Sequence, residues 1–112
     1  MSAAPAEARL LALRRETEAE LAAAGERIDA ITAARADANT DDEHDPEGAT
    51  IGFERAQADA LRAALRARLP EIDAALVRVA AGTYGSCAIC GEPIAPARLE
   101  ARPTTDRCIR HA

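Results

Sequence analysis

Leu10, Thr17, Ala24, Ile31 and Ala38 recur every seven residues, with polar and alanine positions between them. Leu21 and Ile28 fill the alternate seam position, where Arg14 and Arg35 stand at the ends, and Leu11 and Leu13 widen the apolar stripe near the start. A seven-residue apolar period belongs to a helix that packs along a narrow line on another helix. The spacing predicts one helix over about 3–38, with Pro5 tolerated in its first turn and Asn39 as its C-cap. The same period returns in Ile51, Ala58, Leu65, Ile72 and Val79, flanked by Leu61, Leu69 and Leu76. A second helix is expected to start at Pro46, with Asp45 as N-cap and Glu47 at the positive helix end, and to stop at Gly82. Pro70 removes an N–H and crowds the carbonyl of Arg66, so a kink within one continuous arm is expected there.

Two such helices joined by a short polar link predict an all-α antiparallel two-helix coiled-coil hairpin. Each arm is expected to be roughly 45–55 Å long at the helical rise per residue. Composition fits this shape. Phe53 and Tyr84 are the only aromatics, and alanine dominates the 112 residues. A globular core of ordinary volume is hard to build from these residues, whereas alanine suits long helices in close approach. All 14 basic residues are arginine.

From Gly82 the pattern breaks into short segments punctuated by Gly85, Gly91, Pro93, Pro96 and Pro103. This stretch is too small for an apolar core and contains Cys87-x-x-Cys90, directly followed by Gly91, and Cys108-x-x-His111. Three thiolates and one imidazole at two short spacings match a tetrahedral zinc ion. With all four positions occupied by protein, the site is structural rather than catalytic. A Cys87–Cys90 redox pair with Cys108 left over is the competing reading, and no βαβ pattern surrounds the CxxC to support it. The expected division is therefore a hairpin over 1–81, with its tip near 40–49, and a zinc finger over 82–112.

The net charge of −5 is local. Asp41, Asp42, Glu43, Asp45 and Glu47 form the acidic link, and without these five the 19 acids fall to the number of arginines. No basic excess or basic recognition helix is present, which argues against direct sequence-specific DNA binding. No apolar run is long enough to span a membrane and no secretory start is visible. Three cysteines in a metal-ligand pattern suit a reducing compartment, so a cytoplasmic location is expected. No set of side chains for nucleophilic catalysis or phosphate binding is visible, so the chain is not expected to be an enzyme. His44, in the acidic link, is expected to be a solvated loop histidine rather than a pH sensor. Arg98 and Arg102, four residues apart, could share a helix face and touch an acidic partner, or pair internally with Glu100 or Asp106.

Tyr84-Gly85-x-Cys87-x-x-Cys90-Gly91-x-x-Ile94, followed by Arg98-Leu99-Glu100-Ala101-Arg102-Pro103-Thr104-x-Asp106-x-Cys108-Ile109, resembles the zinc finger of the DksA/TraR family. The resemblance implies a regulator of transcription that binds bacterial RNA polymerase through a coiled-coil hairpin. It implies that the acidic tip enters the secondary channel and lies near the catalytic magnesium, with Zn2+ held in a finger at the hairpin base. Three departures from the family pattern are visible. His111 stands where the family's fourth ligand is Cys. At the tip, Asp42-x-x-Asp45 keeps the family's aspartate spacing, but Glu47 replaces the following alanine, and in the register starting at Asp45 the second aspartate position is Gly48. Longer members continue into a C-terminal helix, whereas this sequence stops at Ala112. The alternative to a polymerase regulator is a zinc-stapled coiled-coil adaptor for other proteins. A hairpin with self-satisfied seams is expected to be a monomer, whereas exposure of Leu11, Leu13 and Leu61 would favour assembly.

Overall fold

A computed structural model describes residues 4–37 and 46–112. Helix α1 spans Ala4–Asp37, α2 spans Pro46–Ala81, and a short helix α3 spans Pro96–Ala101. A single 3-10 turn covers Ile109–His111. Glu7 in the first turn of α1, and Arg35 and Arg78 in the last turns of α1 and α2, oppose the partial charges of the helix ends. Ala38 and Asn39, the expected end of α1, and the N-cap Asp45 lie outside the described residues.

The end of α2 has a specific cause. Gly82 adopts φ +77°, a conformation that costs glycine little. Its N–H donates to the Val79 carbonyl at 3.2 Å, and the Thr83 N–H donates to the Arg78 carbonyl at 2.9 Å. This pair of bonds is a Schellman stop, which satisfies carbonyls that the helix would otherwise leave open. Pro70, by contrast, does not end α2, which runs through it as one element. Pro70 is exposed, and Ile72 beyond it is buried on the same seam as Leu65 before it.

The chain divides into two compact units, one formed by Met1–Glu16 with Arg68–Ala112 and the other by Thr17–Ala67. In each, a segment of α1 lies antiparallel to a segment of α2. In the first unit, Leu10, Ala75 and Val79 form the buried cluster, with Ala6, Leu76 and Tyr84 packed against it. Arg14 forks onto Asp73 there, with Nε at 2.8 Å and Nη2 at 3.2 Å from the two carboxylate oxygens. In the second unit, Ile28, Ile31 and Ala58 form the cluster, with Ile51 beside it. Arg55 donates to the Thr32 hydroxyl across the helices, and also pairs with Asp59 one turn along α2 at 3.3 Å.

The seven-residue positions Leu10, Thr17, Ala24 and Ile31 on α1, and Ala58, Leu65, Ile72 and Val79 on α2, are all buried. The flanking leucines are covered only in part. Leu61 is 48% exposed and Leu69 and Leu76 are half-buried, whereas Ala75 is fully buried. Leu76 packs against the cluster that contains Ala75, beside it rather than within it. Leu11 is 39% exposed, and Leu13 is half-buried.

Candidate metal centre

Two knuckles and a helix build this site within the first unit. The first knuckle starts at Gly85, whose φ of +86° lets the chain leave Tyr84 sharply. Leu99 Cδ1 lies 3.5 Å from where a Cβ on Gly85 would be. The Gly85 carbonyl accepts the Ile94 N–H at 2.7 Å, and the Cys87 N–H donates to the Glu92 carbonyl at 2.8 Å. These bonds and the Ser86–Pro93 bridge fold residues 85–94 into a tight antiparallel loop. At its tip the Gly91 N–H returns to the Cys87 carbonyl at 2.9 Å, with Gly91 at φ +77°. The Ile89 N–H points at Cys87 Sγ at 3.4 Å. A knuckle of this kind turns the sulfurs of Cys87 and Cys90 to one side.

The second knuckle comes after α3. Pro96 starts α3 in a position that needs no N–H. The loop returns through Asp106, whose carbonyl accepts the Ala88 N–H at 2.7 Å and so ties the two knuckles together. The His111 N–H closes a 3-10 turn on the Cys108 carbonyl at 3.0 Å. Cys87, Ile94 and Cys108 form a small buried cluster with Leu99 packed on it.

The ligand atoms of Cys87, Cys90, Cys108 and His111 all lie within 4.8 Å of one another. Cys90 Sγ is 3.8 Å from Cys108 Sγ, and His111 Nδ1 is 3.2 Å from Cys108 Sγ and 3.8 Å from Cys87 Sγ. Tetrahedral zinc with ordinary Zn–S and Zn–N bonds separates two sulfurs by about 3.8 Å and a sulfur from a nitrogen by about 3.6 Å. The four residues are positioned to bind a metal ion, and their donor set is that of structural zinc. The three cysteines are free thiols, so no disulfide joins Cys87 and Cys90.

The local electrostatics favour a cation at the centre. Backbone hydrogen bonding from Cys108, helped by Cys90 and Ile89, outweighs burial and draws the Cys87 thiol down to about 6. The His111 side chain lowers Cys108 in the same way, against burial. At Cys90 the backbone at Glu92 favours the thiolate, but burial and the neighbouring sulfurs of Cys87 and Cys108 together raise its pKa. His111 is raised, chiefly by its hydrogen bond to Cys108. The sulfurs that raise His111 are the groups a divalent ion would neutralise.

Three further contacts seat the finger on the hairpin base. The Arg78 guanidinium donates to the Thr104 carbonyl at 2.9 Å, Tyr84 Oη donates to the Pro103 carbonyl at 2.8 Å, and Tyr84 packs on the Leu10 cluster. Beside these contacts an open groove of about 400 Å³ is lined by residues that include Glu71, Arg78, Arg98, Arg102 and Asp106. Arg98 donates to the Arg107 carbonyl at 2.8 Å, and Asp106 pairs with its neighbour Arg107 at 3.8 Å, whereas Arg98 and Arg102 were considered above as partners of Glu100 or Asp106. Arg102 is exposed at the end of α3. Of the expected tip residues, Asp41, Asp42, Glu43 and Asp45 lie outside the described residues, as does His44, while Glu47 falls in the first turn of α2.

The sequence profile of the prokaryotic dksA/traR C4-type zinc finger matches residues 82–110. The RNA polymerase-binding transcription factor DksA of Caulobacter vibrioides is 52% identical over 44 residues, which cover 39% of this chain and 31% of that protein. The protein of the same name from Haemophilus influenzae is 46% identical over 44 residues, covering 39% of this chain and 30% of its own length. The aligned part therefore spans about a third of the length of these curated relatives. The structure of transcription factor DksA2 from Pseudomonas aeruginosa matches with a TM-score of 0.78 at 30% identity, over 96% of this chain and 78% of that one. The chain belongs to the DksA/TraR family. Its all-helical hairpin with a C-terminal finger is the fold shared with DksA2, and the family match covers three of the four candidate ligands, Cys87, Cys90 and Cys108. Among the described residues no helix is long and apolar enough to cross a membrane.

Proposed function

We propose that this chain regulates transcription by binding bacterial RNA polymerase, with residues 1–81 as the arm and 82–112 as a finger stapled by Zn2+ on Cys87, Cys90, Cys108 and His111. The observation that carries the reading is the likeness to DksA2 along 96% of the chain, joined to a finger whose relatives are named for polymerase binding. The arm delivers the acids Asp41, Asp42, Glu43, Asp45 and Glu47 through the secondary channel towards the metal-bearing centre of the polymerase. Carboxylates are the ligands hard cations prefer. Arg98 and Arg102, on or beside α3, touch an acidic surface of the enzyme outside the channel. The chain acts in the cytoplasm as a monomer, performs no catalysis itself and reads no DNA sequence.

The test is direct. Purified RNA polymerase is expected to retain the wild-type chain in a pull-down, and the chain is expected to alter transcript yield in a purified assay. Failure to bind polymerase would leave the adaptor reading, in which exposed Leu11 and Leu61 pack on other proteins or on a second copy. Sedimentation of the free chain distinguishes monomer from assembly.

A further inference from the structure

The matched zinc-finger profile is of the C4 type, yet this chain contains three cysteines in all. These 112 residues therefore offer three thiolates rather than four. Among the described residues the structure places one other donor beside them. His111 Nδ1 faces two of the sulfurs at 3.2 and 3.8 Å, straddling the roughly 3.6 Å expected between nitrogen and sulfur on one tetrahedral zinc.

We infer that His111 closes the centre through Nδ1, the ring nitrogen nearer the backbone, giving zinc three sulfur ligands and one nitrogen. The inference rests on the metal reading above and deepens it by naming the donor atom. Local geometry explains the choice of nitrogen. Cys108 and His111 are separated by two residues in a 3-10 turn closed by the His111 N–H on the Cys108 carbonyl at 3.0 Å. That turn brings the ring close to the sulfurs, so the nearer nitrogen arrives first. Coordination by Nδ1 fixes the tautomer, because the proton must then sit on Nε2. Nε2–H is directed away from the metal by the shape of the ring, and the bound cation makes it a stronger donor than an ordinary imidazole N–H.

The charge of the site changes as well. Four thiolates around zinc leave two negative charges, whereas three thiolates and a neutral imidazole leave one. A centre of lower charge needs fewer N–H···S bonds to hold its sulfurs. This suits a finger in which Cys90 is exposed while Cys87 and Cys108 are buried.

The test uses the full chain purified without chelator. Elemental analysis is expected to give about one zinc per chain. X-ray absorption at the zinc edge is expected to show three sulfurs at about 2.3 Å and one imidazole nitrogen at about 2.0 Å. Long-range 1H–15N correlation on labelled histidine is expected to place the metal on Nδ1 and the proton on Nε2 of His111. His111→Cys is expected to keep zinc and shift the spectrum to four sulfurs. His111→Ala is expected to weaken zinc binding by more than the roughly 10–100-fold that loss of a supporting contact costs. A stoichiometric zinc bound by three sulfurs and oxygen, by four sulfurs in the wild type, or by Nε2 would overturn the inference and leave the metal reading standing. Protein that binds no zinc would overturn both.

Discussion

Tyr84 joins two parts of the molecule that the sequence separates: its hydroxyl donates to the Pro103 carbonyl at 2.8 Å, and it packs against the cluster of Leu10, Ala75 and Val79. The only tyrosine of the chain thus holds the loop before Cys108 and the hairpin base with the same side chain. Tyr84→Phe keeps the ring and removes the hydrogen bond. The expected loss is about 0.5–1.5 kcal/mol in chemical denaturation, with helix content unchanged. A variant as stable as wild type would mean that water replaces the Pro103 contact at no cost.

Burial separates leucines that look alike in sequence. Leu10 and Leu65 are fully buried, whereas Leu61 is 48% exposed. Leu10→Ala and Leu65→Ala are each expected to destabilise by about 2–5 kcal/mol. Leu61→Ala is expected to stay within about 0.5 kcal/mol. Equal losses at all three positions would indicate that Leu61 is covered in solution, as an assembled form requires.

The Arg14–Asp73 pair gives the hairpin an acid limb. Hydrogen bonding from Arg14 holds the Asp73 carboxyl below its ordinary value of 3.8. A depressed folded-state value means the contribution is complete above the unfolded value and is lost as pH falls through the folded one. Stability measured from about pH 5 downward is expected to fall less steeply in Asp73→Asn than in wild type. The wild-type advantage at neutral pH is expected to shrink at high salt, because the pair is partly exposed. Parallel acid limbs for the two proteins would assign no role to the pair.

Metal removal is expected to act unevenly. The finger has only Cys87, Ile94, Cys108 and Leu99 as its apolar cluster, so the ion supplies much of its folding free energy. After chelation, amide hydrogen exchange is expected to accelerate across 85–111. Protection in the Thr17–Ala67 unit, which has its own buried cluster, is expected to persist. Uniform loss of protection would make the whole chain one cooperative unit.

The acidic link carries the functional prediction. Asp42→Asn with Asp45→Asn removes two charges while keeping shape, and Asn caps a helix about as well as Asp. The double variant is expected to fold and to bind RNA polymerase, yet to lose its effect on transcription. An unchanged effect would reduce the link to a solvated loop.

The seam and the gathering of the four candidate ligands were legible in the sequence for the same reason: each is encoded by short-range spacing. Seven-residue recurrence marked Leu10, Thr17, Ala24, Ile31, Ala58, Leu65, Ile72 and Val79, and two x-x gaps marked the four ligands. The second line of the seam was harder. Hydrophobicity singled out Leu61 and Leu76, whereas the structure buries Ala75 fully, and which flanking position is covered is a property of two helices together. The contacts of Arg78 with Thr104 and of Tyr84 with Pro103 span 26 and 19 residues of chain. Backbone carbonyls accept both of these bonds, so no side-chain pattern announces them. The helix α3 was foreseen only as a face Arg98 and Arg102 could share, because it is six residues long, starts at Pro96 and stops just before Pro103.

Arg78 works with both of its ends. Its carbonyl receives the N–H groups of Thr83 and Tyr84 at 2.9 and 3.2 Å, and its guanidinium reaches forward to Thr104. The direction in which the chain leaves α2 and the position of the loop that precedes Cys108 are therefore both referenced to one residue. A twist of the last helical turn would carry the two halves of the metal cage in the same sense, so the cage can ride on the helix end without being pulled apart.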